Sequence, residues 1–240
     1  MTRLHIATSC YHEWRTRLAR PETQWKRKFS AFENAVLWEI ANKQNKKNGL
    51  PEPVENILVN AGFRDPVLLF AVAEHQVDLP GGSRASQSDV WAVVKSEEKL
   101  ISIAFEAKAN ELFDTKTLSE WITDNTSDFS LKNRQERKSY IEKHLPTAIN
   151  SYDNVHYQLL HRCASAVIEA KRIGCNSAAF IVLSFNSPDK SFQQFEHFCK
   201  TIEIDSGRNI ISKTEVDGIT LYVGWAECPF ASDDDILKLG

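Results

Sequence analysis

The residues best equipped for chemistry in this 240-residue chain lie in one stretch, "SDVWAVVKSEEKLISIAFEAKANE", from Ser88 to Glu111. Two runs rich in β-branched and aromatic residues flank the polar turn Ser96 to Lys99, which is the pattern of a β-hairpin. In the second run Ile101, Ile103, Phe105 and Ala107 fall on one face. Ser102, Ala104, Glu106 and Lys108 fall on the other, because side chains alternate along a strand. Glu106 and Lys108 therefore point the same way, and the hairpin returns Asp89 to their end of the sheet. Two carboxylates a few ångström apart repel unless a proton or a cation lies between them, and a hard divalent ion takes oxygen ligands of this kind. The expected ligands of a Mg²⁺ ion, with Mn²⁺ as a substitute, are Asp89, Glu106 and the backbone carbonyl of Ala107. A metal-activated water would attack a phosphorus atom, while Lys108 orients it or offsets charge building on the phosphate. The rival expectation for Asp89, Glu106 and Lys108 is an exposed hairpin whose ion pair is worth little.

Elements must hold these groups in place. The spacing of Phe29, Phe32, Val36, Leu37, Ile40 and Ala41 predicts a helix lying on the core, with Ser30 placed to cap its first turn. After the break "NKKNGLPEP", the segment "EPVENILVNAG" reads as a short helix closed by Gly62. "DPVLLFAVAEHQVDLPGGS" is apolar and ambiguous between helix and strand until Pro80, Gly81 and Gly82 end it. The polar region 111–150 reads as a helical insertion beside the core. From Asn154 to Ile173, Leu159, Leu160, Cys163, Ala166, Val167 and Ala170 form an apolar arc at 100° per residue. Gln158, His161, Arg162, Ser165 and Glu169 collect opposite that arc, as the wet side of the helix or as the wall of a cleft. "AAFIVLSF" reads as a strand covered on both faces, "FQQFEHFCKTI" as a helix and "GITLYVGWAEC" as a last strand. Residues 231–240, "ASDDDILKLG", read as a frayed, flexible tail.

Composition narrows the class. With 42% hydrophobic and 25% charged residues the chain is expected to form a single domain over 1–240 with a sizeable core. It has no apolar run of the roughly 18 to 20 residues that span a bilayer, and "MTRLHIATSCYHEW" lacks the marks of a signal peptide, so a cytoplasmic protein without membrane contact is expected. Five scattered cysteines without zinc-site spacing read as reduced, packed thiols. The net charge of −3 conceals an uneven distribution, with ten Lys/Arg against four Asp/Glu from Met1 to Lys47 and a second basic segment from Leu131 to His144. Trp25, among "QWKRK", could pack in the core, stack on a base or grip a partner.

Asp89, a hairpin, then Glu106, Ala107 and Lys108 resemble the signature of the PD-(D/E)xK, or restriction-endonuclease-like, nuclease superfamily. "EHQVDLPGGSRASQSDV", "FEAKANE" and "YQLLHRCASAV" together also resemble an uncharacterised bacterial family assigned to that fold. The resemblance implies an α/β (α+β) core with a central mixed β-sheet flanked by helices, in the order helix, three strands, helix, strand. It further implies Mg²⁺-dependent hydrolysis of nucleic acid, with DNA as the expected substrate and a homodimer as a possible assembly. Glu74 would join Asp89, Glu106 and Ala107 around the metal, and Gln158 would be the polar catalytic residue on the helix after the lysine strand. Gln87, His161 and Arg162 are the candidate nucleic-acid contacts. Ser88 stands where many members have proline, and Arg162 where one branch carries tyrosine. The alternative is a catalytically silent member binding nucleic acid or a protein partner in a bacterial defence or regulatory system.

Overall fold

The computed structural model describes residues 10–43, 48–113, 115–124 and 127–240. Its centre is a six-stranded mixed sheet built from β1 (Val67–Val77), β2 (Ser86–Ser96), β3 (Lys99–Lys108), β4 (Ser177–Ser184), β5 (Ile210–Val216) and β6 (Ile219–Glu227). The spatial order is β1-β2-β3-β4-β6-β5. The first three strands form an antiparallel meander, β3, β4 and β6 run parallel, and β5 returns antiparallel at the far edge. Described helices are α1 (Tyr11–Trp14), α2 (Pro21–Gln24), α3 (Ser30–Lys43), α4 (Glu52–Asn60), α5 (Leu118–Thr123), α6 (Asp128–Glu142), α7 (Tyr157–Ile173), α8 (Asp189–Thr201) and α9 (Asp233–Leu239). The fold is α+β, an open sheet with helices on both faces.

Side-chain alternation divides the core. Val90, Ala92, Ile101, Ile103 and Phe105 pack with Val36 and Trp38 of α3 and with Ile57 of α4. On the other face Ala104, Phe180 and Val182 meet Leu160, Cys163 and Val167 of α7 and Phe195 of α8. β4 is buried along nearly its whole length, as its continuous apolar run implies. Each fully buried large apolar side chain contributes roughly 1.5–3 kcal/mol relative to exposure. α7 begins at Tyr157, three residues later than the periodicity suggests, because His156 is held in a bridge to Thr117. It ends where Gly174 takes φ +74°, a left-handed cap that glycine enters without strain.

The ambiguous stretch before Pro80 is β1, an edge strand. Phe70 and His75 both contact the ring of Trp91, at 5.4 and 4.5 Å between centroids, although they are an odd number of positions apart. The alternation inverts between them, at Glu74, whose φ is +54°.

Residues 231–240 correct the expectation of a frayed tail. A capping box between Ser232 and Asp235 starts α9, which ends with Leu239 only 3% exposed. Glu33 accepts the backbone N–H of Ala231 at 2.7 Å, and Lys43 bonds the carbonyl of Leu239. The acidic run sits in the first turn, where it complements the helix dipole, and the composition that resembled a solvated end is a capped helix start. Trp25 packs against Tyr11 and Phe32. The cysteines among the described residues are free, and four of them are buried. No described helix is long and apolar enough to cross a membrane. Residues 1–9 and 44–47, which carry the signal-peptide reading and part of the basic N-terminal excess, lie outside the described residues.

Candidate active site

Antiparallel pairing of β2 with β3 sets Val90 opposite Phe105, so Asp89 and Glu106 are the next positions along. The Asp89 carboxylate accepts the backbone N–H of Ala107 at 2.6 Å, which stitches the two strands together where their ladder ends. Glu106 is 2% exposed and Lys108 5%, so the exposed-hairpin reading is overturned. Glu106 Oε1 accepts from Lys108 Nζ at 2.9 Å and from Gln158 Nε2 at 2.6 Å, while Oε2 accepts from Arg162 Nε at 2.7 Å. Gln158 and Arg162 lie one turn apart on α7. The polar side of that helix is thus applied to the end of the sheet and is not its wet face. Lys108 also lies 5.0 Å from the centre of the Phe113 ring.

β1 supplies the third carboxyl. Ala73 pairs with Val90 and His75 with Ser88, placing Glu74 across from Asp89. A non-glycine residue in the left-handed region costs about 1–3 kcal/mol, and such residues cluster at functional sites. Glu74 Oε2 accepts from Gln87 Nε2 at 2.6 Å.

The three carboxyls are shifted in different directions. Burial, with the nearby charge of Glu106 adding to it, outweighs the Gln87 hydrogen bond and pushes Glu74 up to about 7. Asp89 is raised well above the ordinary carboxylate range, first by burial and then by repulsion from Glu106 and Glu74. Burial would raise Glu106 as well, but the charges of Lys108 and Arg162 overcome it and hold the group below its usual value. One clamped carboxylate thus faces two that hold their protons to a higher pH than usual.

These groups line a cavity of about 490 Å³ together with Ala107, Glu111 and residues of the N-terminal segment. Asp89, Glu106, Lys108, Ala107, Glu74, Gln158, Gln87 and Arg162 are therefore brought together. His161 is separate: its Nδ1 lies 2.8 Å from Ser86 Oγ, and burial, aided by the charge of Arg162, holds its pKa well below the usual histidine value. It borders a second, larger cavity. Gln87 and Arg162, expected as nucleic-acid contacts, are hydrogen-bonded to Glu74 and Glu106 respectively. Reading the sequence missed Leu18, Thr23, Phe29, Ser30 and Ala31 as walls of the site. One signal existed for Phe29, which opens the apolar stripe of α3 yet is 40% exposed at the cavity.

A hard cation can be tested against this donor set. Among the described residues no group of three or more His, Cys, Asp or Glu could by itself hold a metal ion. Mg²⁺ needs only one or two carboxylates and keeps several waters. Asp89 and Glu74, whose pKa values are raised partly by their neighbours' negative charge, fit that need. Both oxygens of Glu106 are already engaged, and it would have to release a donor to join them.

Sheet and cluster define an α+β protein with a buried carboxylate and lysine site where β2 begins and β3 ends. A profile of the domain of unknown function DUF6946 matches residues 7–229, and the chain belongs to that family. Neither a curated protein nor a solved structure matches it.

Proposed function

We propose that the chain is a Mg²⁺-dependent nuclease of the restriction-endonuclease-like class, hydrolysing phosphodiester bonds of nucleic acid, with DNA as the substrate. The observation that carries this reading is the convergence of Asp89, Glu106 and Lys108 with Gln158 in one cavity. The element order α3, β1-β2-β3, α7, β4 supports the same reading, because it matches the order implied by the signature. Asp89 and Glu74 would hold the metal, which when bound supplies Lewis acidity toward a phosphoryl oxygen and neutralises charge. Lys108 and Arg162 share the single negative charge of Glu106, so this clamp is net positive and attracts a phosphate. As charge develops on the phosphoryl oxygens, Lys108 Nζ stabilises it, in a buried setting where the interaction is stronger than in water. Gln158 and Arg162 fix Glu106, which in turn keeps the Lys108 ammonium in place.

Cleavage of plasmid and single-stranded DNA with Mg²⁺ or Mn²⁺ tests the proposal. Asp89→Asn and Lys108→Met should each abolish cleavage while the far-UV circular dichroism spectrum stays unchanged. Activity surviving in both variants rejects the nuclease.

One observation favours a second reading, a silent binding protein of this fold: the carboxylate of Glu106 is saturated by Lys108, Gln158 and Arg162. Calorimetric titration separates the two. The enzyme takes up Mg²⁺ saturably and loses it in Asp89→Asn, whereas the silent protein shows no uptake.

A further inference from the structure

A cavity of about 1230 Å³ adjoins the site and shares Lys108, Glu111 and Gln158 with it. Small-molecule sites typically occupy about 300–1,000 Å³, so this space is larger than one small ligand needs. One wall is the loop after β1 and the other is α5 and α6 of the insertion. The loop lies so close to α6 that a Cβ on Gly81, at φ +73°, would collide with the backbone carbonyl of Asn133. Arg137, 7% exposed, donates to the carbonyls of Leu79, Pro80 and Gly82 and holds the two walls together.

The charge of this cleft is the unusual feature. Among the described residues its lining contains five Lys/Arg and two Asp/Glu, in a chain of net charge −3. Lys116 pairs with Asp124 and Lys108 with Glu106. Among the described residues no carboxylate forms an ion pair with Arg84, Arg134 or Arg137. Arg134 instead bonds the carbonyls of Trp121 and Asp124, and Arg137 those of the loop. Carbonyl partners satisfy the N–H groups of a guanidinium but do not cancel its charge, and the negative charge near Arg134, that of Asp124, is already paired with Lys116. Arg137 is the buried one of the three, and a buried charge held in that way, without a counter-ion, is costly unless an anion completes it. Beside the guanidiniums stands a flat column: Arg134 lies over Trp121 at 5.4 Å, and Trp121 is stacked on Tyr157 at 4.0 Å with 5° between the rings.

We propose that this cleft is the binding track for a single strand of nucleic acid, whose phosphates meet Arg84, Arg134 and Arg137 and whose path ends at Lys108. The inference rests on the nuclease reading for what happens at that end, but not for binding. A cationic groove beside aromatic groups is how proteins hold single strands without reading their sequence. With its two walls joined along one side, the cleft suits one strand better than a duplex.

Arg84 is exposed and forms no ion pair among the described residues, so its replacement perturbs charge without unfolding the cleft. Fluorescence anisotropy with a labelled 12-nucleotide single strand, in chelator, should show binding by wild type and by Asp89→Asn. The affinity should fall with salt, and Arg84→Glu should weaken it about tenfold and lower the salt slope by roughly 0.7 for each phosphate that is no longer neutralised. Unchanged affinity and slope in Arg84→Glu overturn the track, even if wild type cleaves DNA and Asp89→Asn does not. Equal or tighter binding of the matching duplex overturns the assignment to a single strand. Strand binding that disappears in Arg84→Glu, in a protein that never cleaves, upholds the track and rejects the nuclease alone.

Discussion

Glu74 and Asp89 retain protons that their unfolded forms would release, and this has a sign that can be measured. In the unfolded chain Glu74 titrates near 4.5, whereas in the folded protein it does so at about 7. Between those values the native state binds more protons, so the stability this group contributes is complete below about 4.5 and is lost as pH rises through about 7. Asp89, raised for the same reasons, acts in the same direction. Glu106 acts oppositely, since its lowered pKa contributes stability that is present above 4.5 and lost as acid protonates it. His161, held below its usual value by burial, also acts against Glu74 and Asp89 over part of the same range, so Glu74 is read by difference: in chelator the wild-type urea midpoint should fall relative to that of Glu74→Gln from about pH 4.5 to about pH 7. A difference between wild type and Glu74→Gln that is independent of pH across that window would show that Glu74 is not proton-loaded. At this scale the sequence was informative about which residues meet, because strand alternation and one hairpin fix Asp89, Glu106 and Lys108. It was not informative about partners: Arg162 and Gln87 read as free hands for phosphate, but a helix face gives no sign of which carboxylate will claim it.

Elements were legible where one period dominated. α7, β3 and β4 follow from the spacing of apolar residues; the polar region 111–150 does hold helices α5 and α6, but its Phe113, Leu118, Ile141 and Leu145 are buried in the core. β1 could not be separated from a helix, because its alternation inverts at Glu74 and so the period of two never runs its full length. The last helix was missed because its signal lies in the Ser232 and Asp235 capping box and not in any apolar stripe. The loop after β1 shows how element positions reach the site. Gly81 takes a backbone conformation that costs a residue with a Cβ about 1–2 kcal/mol, and it also packs against the backbone of α6. Gly81→Ala should therefore lower stability by at least about 2 kcal/mol and speed hydrogen exchange in α6, read by denaturant titration and mass spectrometry. A Gly81→Ala protein as stable as wild type, with unchanged exchange, would mean that loop and insertion are not tied together.

Across the whole molecule, the sheet is a partition shared by two cores, and the site occupies the end where its antiparallel half meets its parallel half. β3 is the hinge of that arrangement, pairing antiparallel with β2 on one side and parallel with β4 on the other. Consecutive residues of β3 serve different layers: Phe105 faces Trp38 of α3 at 5.2 Å, and Glu106 faces α7. The two cores cannot separate without breaking β3, so they should melt as one cooperative unit. Phe105→Ala probes the α3 side, and Phe180→Ala, whose backbone pairs with Ala104, probes the α7 side. Each should cost about 3–5 kcal/mol. In both variants, unfolding followed by tryptophan fluorescence and by far-UV circular dichroism should give one coincident midpoint. Two midpoints would mean that the N-terminal and C-terminal layers fold separately, and the site would then lie on a seam between units and not within one scaffold. Coincident midpoints would instead make the geometry of Asp89, Glu106 and Lys108 depend on both cores at once, so that loosening either layer would misalign the same three groups.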